Sequence, residues 1–194
     1  MDIATLRYYL ENALDEFEDR HYLGMSAISQ CPRKLALELM DGRTRPDVRS
    51  ARLFHEGYLH EYDIVQRLME QGIEVTNRQR ELIAPWDERF RGHIDGELDG
   101  ELIEIKSVNA DRFQRARQDG AFDEHVLQVQ MYMRYGNYQS AMITYKNRES
   151  GEIWLVEVAY CKEIADRLED EAKAILAAVD SKTAPACTCG RCRR

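Results

Sequence analysis

The chain has 194 residues, 44% of them hydrophobic and 32% charged, a balance that fits one folded domain and excludes an intrinsically disordered chain. The formal net charge of −8 argues against a non-specific polyanion binder. Local basic clusters remain at Arg43, Arg45, Arg49 and Arg52, at Arg112, Arg115 and Arg117, and at Arg191, Arg193 and Arg194, each of which ordinary solvated surface would also explain. No apolar run approaches the roughly 18 residues of a membrane span. The first residues lack a basic region followed by an apolar one, so a cytoplasmic protein without a secretory signal is expected.

Ile3, Leu6, Leu10, Leu14 and Phe17 recur at helical spacing and predict an amphipathic first helix. Ser26 and Ser29 are capping residues, and Pro32 suits the first turn of a helix to Met40, stopped by Gly42. An Arg-rich loop to about Asp47 leads into a long helix over 48–71 that Gly72 ends. That helix has two apolar stripes, Ala51, Phe54, Tyr58, Val65 and Met69 on one side and Leu53, Gly57, His60 and Ile64 on the other. It is therefore expected to lie between layers.

Strands are predicted at 73–84, 89–98 and 101–108, with Asp99-Gly100 closing a hairpin between the last two. A polar helix near 110–118 and an amphipathic one at 123–135 come next. Strands near 139–146 and 152–158 and a helix over 161–179 follow. The order gives an α/β (α+β) fold with a central mixed sheet flanked by helices. We expect residues 1–194 to form a single domain: a helical part over 1–72, a core over 73–160, and a C-terminal helix with a Cys-rich tail over 161–194.

The chemistry concentrates in Gly92 to Lys106. Alternate residues of a strand share a face, so Glu104 and Lys106 point one way while Ile103 and Ile105 point to an apolar layer. Asp95, on the partner strand of the hairpin, is expected to approach Glu104. Two carboxylates that close repel unless a cation lies between them, and Mg²⁺ or Mn²⁺ favours such oxygen ligands. A lysine beside them can orient a water or stabilise charge on a phosphate. An exposed, salt-bridged hairpin would show the same three residues.

The wider pattern resembles the PD-(D/E)XK nuclease superfamily, specifically the RecB-like branch that includes the CRISPR-associated iron–sulfur exonucleases. His60 in Gly57-Tyr58-Leu59-His60-Glu61 matches the branch's helical histidine, and Gly92-His93-Ile94-Asp95 its Gly-x-x-Asp element. Glu104-Ile105-Lys106 matches Glu-x-Lys, and Gln128 to Tyr132 matches Gln-x-x-x-Tyr. The resemblance implies a restriction-endonuclease-like core and a metal held by His60, Asp95, Glu104 and the carbonyl of Ile105. Asp95, Glu104, Lys106, Gln128 and Tyr132 would form the catalytic set. His125, three residues before Gln128, can join that helical face.

Of the five cysteines, Cys31 stands early, Cys187, Cys189 and Cys192 form a tail cluster, and Cys161 reads as a small buried residue. Thiols of a cytoplasmic chain stay reduced, so the clustered ones read as ligands. Four thiolates suit a tetrahedral zinc or a [4Fe–4S] cluster, and the chemistry alone does not choose. The resemblance favours the [4Fe–4S] cluster, with zinc second. It also implies a Mg²⁺- or Mn²⁺-dependent exonuclease acting on DNA ends or single-stranded tails, with protein partners in DNA processing or self-association open. A non-catalytic DNA-end-binding subunit of the same fold is the alternative.

Overall fold

A computed structural model describes residues 21–42 and 48–190, together with Asp2, Ile3 and Thr5. The expected helix of the first twenty residues, the loop of Arg43 and Arg45, and the last four residues with Cys192 lie outside the described residues.

Strand β1 (Leu23–Gly24) leads through a single 3₁₀ turn to helix α1 (Pro32–Asp41). Proline's missing N–H costs nothing at the first helical position, and Cys31 rather than Ser29 is the N-cap. Gly42, at φ 84°, stops the helix as expected. Helix α2 (Val48–Glu70) likewise ends before Gly72, at φ 77°. Its expected burial on two sides is not observed. Ile64 and Val65 pack with Val75, Ile103 and Ile105 in a small core over the sheet. Leu53, Phe54, Tyr58, Leu59 and Tyr62 are exposed, because the first half of the helix extends past that core.

Strands β2 (Glu81–Ile83), β3 (Phe90–His93), β4 (Gly96–Leu98) and β5 (Glu101–Val108) follow. The expected strand over 73–84 is reduced to β2 and one bridge, Thr76 to Glu97, because the backbone turns left-handed at Asn77 and Gln79. The expected strand over 89–98 divides between two sheets. One sheet has the order β1-β3-β2, and the other begins β4-β5. The hairpin turn between β4 and β5 forms where expected, with positive φ at both Asp99 and Gly100.

Helices α3 (Ala110–Asp119) and α4 (Asp123–Gly136) carry the chain from β5 to β6 (Ser140–Asn147), which runs parallel to β5. Strand β7 (Ile153–Ala159) returns antiparallel, and α5 (Lys162–Asp180) packs against α1 and α4. The result is a mixed α/β fold in which the main core fills the space between α4, α5 and the sheets. Leu23, Phe90, Leu102, Met131, Ile143, Tyr145, Leu168 and Ile175 are central to it. Among the described residues no helix is long and apolar enough to cross a membrane.

Gly92 shows why glycine stands in the Gly-x-x-Asp element. A Cβ there would lie 2.6 Å from Cε1 of Tyr132 and 3.1 Å from Cβ of Met25, so β3 meets α4 only without a side chain. Gly92→Ala is expected to lose about 1–3 kcal/mol through overpacking, read from urea unfolding; unchanged stability would contradict this contact.

Candidate functional site

The middle of β5 is apolar on both faces except where it carries Glu104 and Lys106. Ile103 and Ile105 face α2, and Leu102 belongs to the main core. Glu104, on the core side, is only 1% exposed. A carboxylate so deep must be bonded or it costs several kcal/mol. Its Oε1 meets this need twice, accepting from Lys106 Nζ at 2.6 Å and from Gln128 Nε2 at 2.7 Å. Its Oε2 is buried and has no hydrogen-bond partner among the described residues.

Gln128 and Tyr132 stand four residues apart on α4, and the helix repeat puts both over β5. The Gln128 amide is the hub. Its Oε1 accepts from Lys106 Nζ at 3.0 Å, and its Nε2 donates to Glu104 and, at 3.1 Å, to the Tyr132 hydroxyl. Burial, then the charges of Glu104 and Asp95, holds the Tyr132 phenol neutral.

Asp95 is not on the hairpin strand. It lies with Ile94 in the short seam where the chain leaves β3 and enters β4, hence between the two sheets. Continuing the β4–β5 register by one residue beyond Gly96 and Ile103 sets Asp95 opposite Glu104. Its Oδ2 accepts the Ile105 N–H at 2.6 Å, an anchor that a regular strand pairing would have taken. Protein atoms surround the carboxylate while water still reaches it. Burial, followed by the charge of Glu104, raises its proton affinity well above the usual range; Lys106 and the Ile105 amide only partly oppose this. Burial also works against the Lys106 charge, but Glu104 and Asp95 outweigh it and keep the ammonium protonated.

The helix residue nearest this pair in its electrostatics is Glu61. Burial raises its carboxyl, a hydrogen bond from Gln79 and the charge of Arg78 lower it, and Glu104 and Lys106 both act on it. His60 is held neutral by burial and by Lys146 and Arg148, with Glu56 and Asp63 opposing. Lys146 and Asp63, which pair with each other at 2.6 Å, both act on the histidine. One residue along a helix is a rotation of 100°, which separates His60 from Glu61. The sequence did carry a signal: Glu61 sits three residues after Tyr58 and four before Val65, a carboxylate inside an apolar stripe.

His125 lies behind the site. Its Nδ1 is 2.8 Å from the Tyr145 hydroxyl, and Tyr145 neighbours Lys106 across the parallel β5–β6 register. Burial and the Lys106 charge push the imidazole down to about 3, so it is neutral. It meets Tyr145, not Gln128.

A second centre lies at the far ends of the described chain. Cys31, Cys187 and Cys189 bring their sulfurs within 4.8 Å of one another, and none is in a disulfide. Arg33 Nη1 donates to the Pro185 carbonyl at 3.0 Å, fastening the tail to α1. Three converging thiols fit a thiophilic metal or cluster, with Cys192 outside the described residues. Cys161 is half-buried rather than buried, because it caps α5 and its Sγ donates to Glu163 at 3.3 Å.

No protein-family model matches this chain, and no curated protein matches its sequence. Solved structures do share its fold. An alkaline exonuclease from Laribacter hongkongensis superposes with a TM-score of 0.66 at 16% identity, covering 84% of this chain and 90% of its own. The same exonuclease in complex with dAMP gives 0.67 at 17% over the same shares. A phage-related exonuclease from Haemophilus somnus 129PT gives 0.57 at 14%, covering 81% of each chain. The fold is that of these exonucleases. In this exonuclease-like fold the seam carrying Asp95, the middle of β5 and the buried face of α4 with Gln128 and Tyr132 come together.

The raised Asp95 proton affinity has a stability consequence with a definite sign. A group that binds its proton more tightly when folded adds stability at low pH, and that stability is lost as pH rises through its folded value. The metal-free protein should therefore weaken from the ordinary aspartate range upward. Asp95→Asn keeps an oxygen for Ile105 and removes the charge. It is expected to melt at least about 2–4 °C above wild type at neutral pH in EDTA, the shift for roughly 1 kcal/mol in a domain of this size. A variant melting below wild type under those conditions would contradict the assigned charge repulsion.

Proposed function

We propose that this chain is a metal-dependent DNA nuclease, an exonuclease working on ends or single-stranded tails. One observation carries the reading: Glu104 is pinned through Oε1 by Lys106 and Gln128, while its buried Oε2 has no partner among the described residues, with Asp95 next to it. An orphaned oxygen amid two further carboxylates suits a hard divalent cation such as Mg²⁺ or Mn²⁺. Glu104, Asp95 and the Ile105 carbonyl would hold it, with Glu61 taking the place the sequence assigned to His60. Such an ion, when bound, polarises the phosphodiester and acidifies a water. Support for DNA as substrate comes from the solved relatives, which are exonucleases, one of them holding dAMP.

The chain's own groups divide the remaining work. Glu104 and Asp95 favour the Lys106 ammonium, which would serve as a cation and hydrogen-bond donor toward the phosphate or the attacking water. Gln128 fixes that ammonium from the rear, and Tyr132 fixes Gln128. Hydrolysis then forms a bond from water oxygen to phosphorus and breaks the bond to the leaving sugar oxygen, which takes up a proton.

We further read the cysteines as holding a [4Fe–4S] cluster, with zinc second, as in the RecB-like, CRISPR-associated nucleases the sequence resembles. Residues 1–194 would then form one nuclease unit, its ends joined by Cys31, Cys187, Cys189 and Cys192. The resemblance favours a cytoplasmic setting for it.

End-labelled DNA is expected to shorten with Mg²⁺ or Mn²⁺ but not in EDTA. Asp95→Ala or Lys106→Ala should cut the rate at least about a thousandfold without unfolding. Glu61→Gln should lose far more activity than His60→Gln; the reverse ranking would restore the histidine as ligand. Anaerobically purified protein should be brown and carry iron and sulfide, both lost in Cys31→Ser. A colourless protein with one equivalent of zinc would replace the cluster by zinc.

A further inference from the structure

Between α2 and β2 the backbone takes positive φ at two non-glycine residues, Asn77 at 49° and Gln79 at 55°. Such residues are uncommon there and persist where the surroundings hold them. Here both flanks are held. Asn77 Nδ2 donates to Glu97 Oε2 at 2.9 Å, and Arg80 Nη2 pairs with Glu97 Oε1 at 3.2 Å. Tyr138 also donates its hydroxyl proton to Glu97, and the Ile94 N–H donates to the Arg80 carbonyl at 3.2 Å. Gln79 Nε2 donates to Glu61 Oε1 at 2.8 Å.

Arg78 stands between these anchors. It makes no hydrogen bond or ion pair with any described residue, although carboxylates lie near it. Its stem lies against β4, with its Cγ 3.6 Å from where a Cβ on Gly96 would sit, and Gly96 follows Asp95. Its charge acts on Glu61. Glu97 takes no part in the acidic recess, so its three bonds serve the turn.

We propose that Arg78 grips a DNA backbone phosphate beside the bond to be cut, and that the turn 77–80 is built to hold it there. This rests on the nuclease reading above. Lys106 and the divalent ion would act at the phosphate being cut, which leaves the adjoining phosphates of the strand to other cations. The Arg78 guanidinium is such a cation, and its planar fork matches two phosphate oxygens at once.

The test is anisotropy of a short fluorescein-labelled single strand over a range of salt, with Ca²⁺ in place of the catalytic ion. Arg78→Gln is expected to bind about tenfold more weakly. Its slope of log affinity against log salt should be shallower by roughly 0.7, the value for one lost phosphate contact to single-stranded DNA. Arg78→Lys should keep that slope while recovering part of the affinity, and both variants should melt as wild type does. Equal affinity and slope in Arg78→Gln would overturn the grip alone. Wild-type protein that does not bind DNA would overturn both the grip and the nuclease reading. Arg78-dependent binding with no cleavage under any divalent ion would support the grip and overturn the nuclease reading.

Discussion

A carboxylate with almost no exposure, bonded through one oxygen and not the other, sets the terms for the structure around it. Glu104 sits mid-strand in β5, where its neighbours along the chain are Ile103 and Ile105. Removing such a charge from water costs several kcal/mol even after relaxation. Lys106 and Gln128 offset part of that through Oε1. Asp95 and Glu61 add to the repulsion instead of relieving it. A fold optimised for stability alone would not bring Asp95 and Glu61 to bear on a carboxylate buried in an apolar strand. That excess negative charge is what the proposed cation would relieve, so activity and metal-free stability would oppose one another there.

The supporting architecture follows from that constraint. Asp95 reaches Glu104 because the chain changes sheets at Ile94-Asp95, which frees the Ile105 N–H to bond the aspartate. Gln128 and Tyr132 reach it because β5 and β6 are parallel, and a parallel pair needs a crossover whose helix covers the sheet. Gly92 lets α4 come close enough for Tyr132 to back Gln128. At the other end, Cys31 before α1 and Cys187 and Cys189 after α5 close nearly the whole described chain on itself. Loop-closure entropy grows only logarithmically with length, so a metal there contributes mainly through its ligand bonds.

Much of this was legible in residue patterns. Period-two alternation located β5 and its polar face, and Asp99-Gly100 fixed the hairpin, since both residues take positive φ. Gln128 and Tyr132 came with the family resemblance, and helical spacing put both on one face. Three features were not legible, each for a physical reason. Alternation does not reveal a change of sheet, so the seam at Asp95 was hidden inside an apparently continuous strand. Apolar stripes record a preference for burial without supplying a partner, so the exposed first half of α2 read as sandwiched. The left-handed turn at Asn77 and Gln79 had no glycine to mark it.

The central claim is that Glu104 Oε2, with Asp95 and Glu61, forms a socket for a divalent cation. Crystals soaked in Mn²⁺ and measured for its anomalous scattering address this without reference to activity. The account expects one strong peak within coordination distance of Glu104 and Asp95, on the Glu61 side and away from His60. Manganese bound elsewhere, or none bound at all with Glu104 still paired to Lys106, would contradict it.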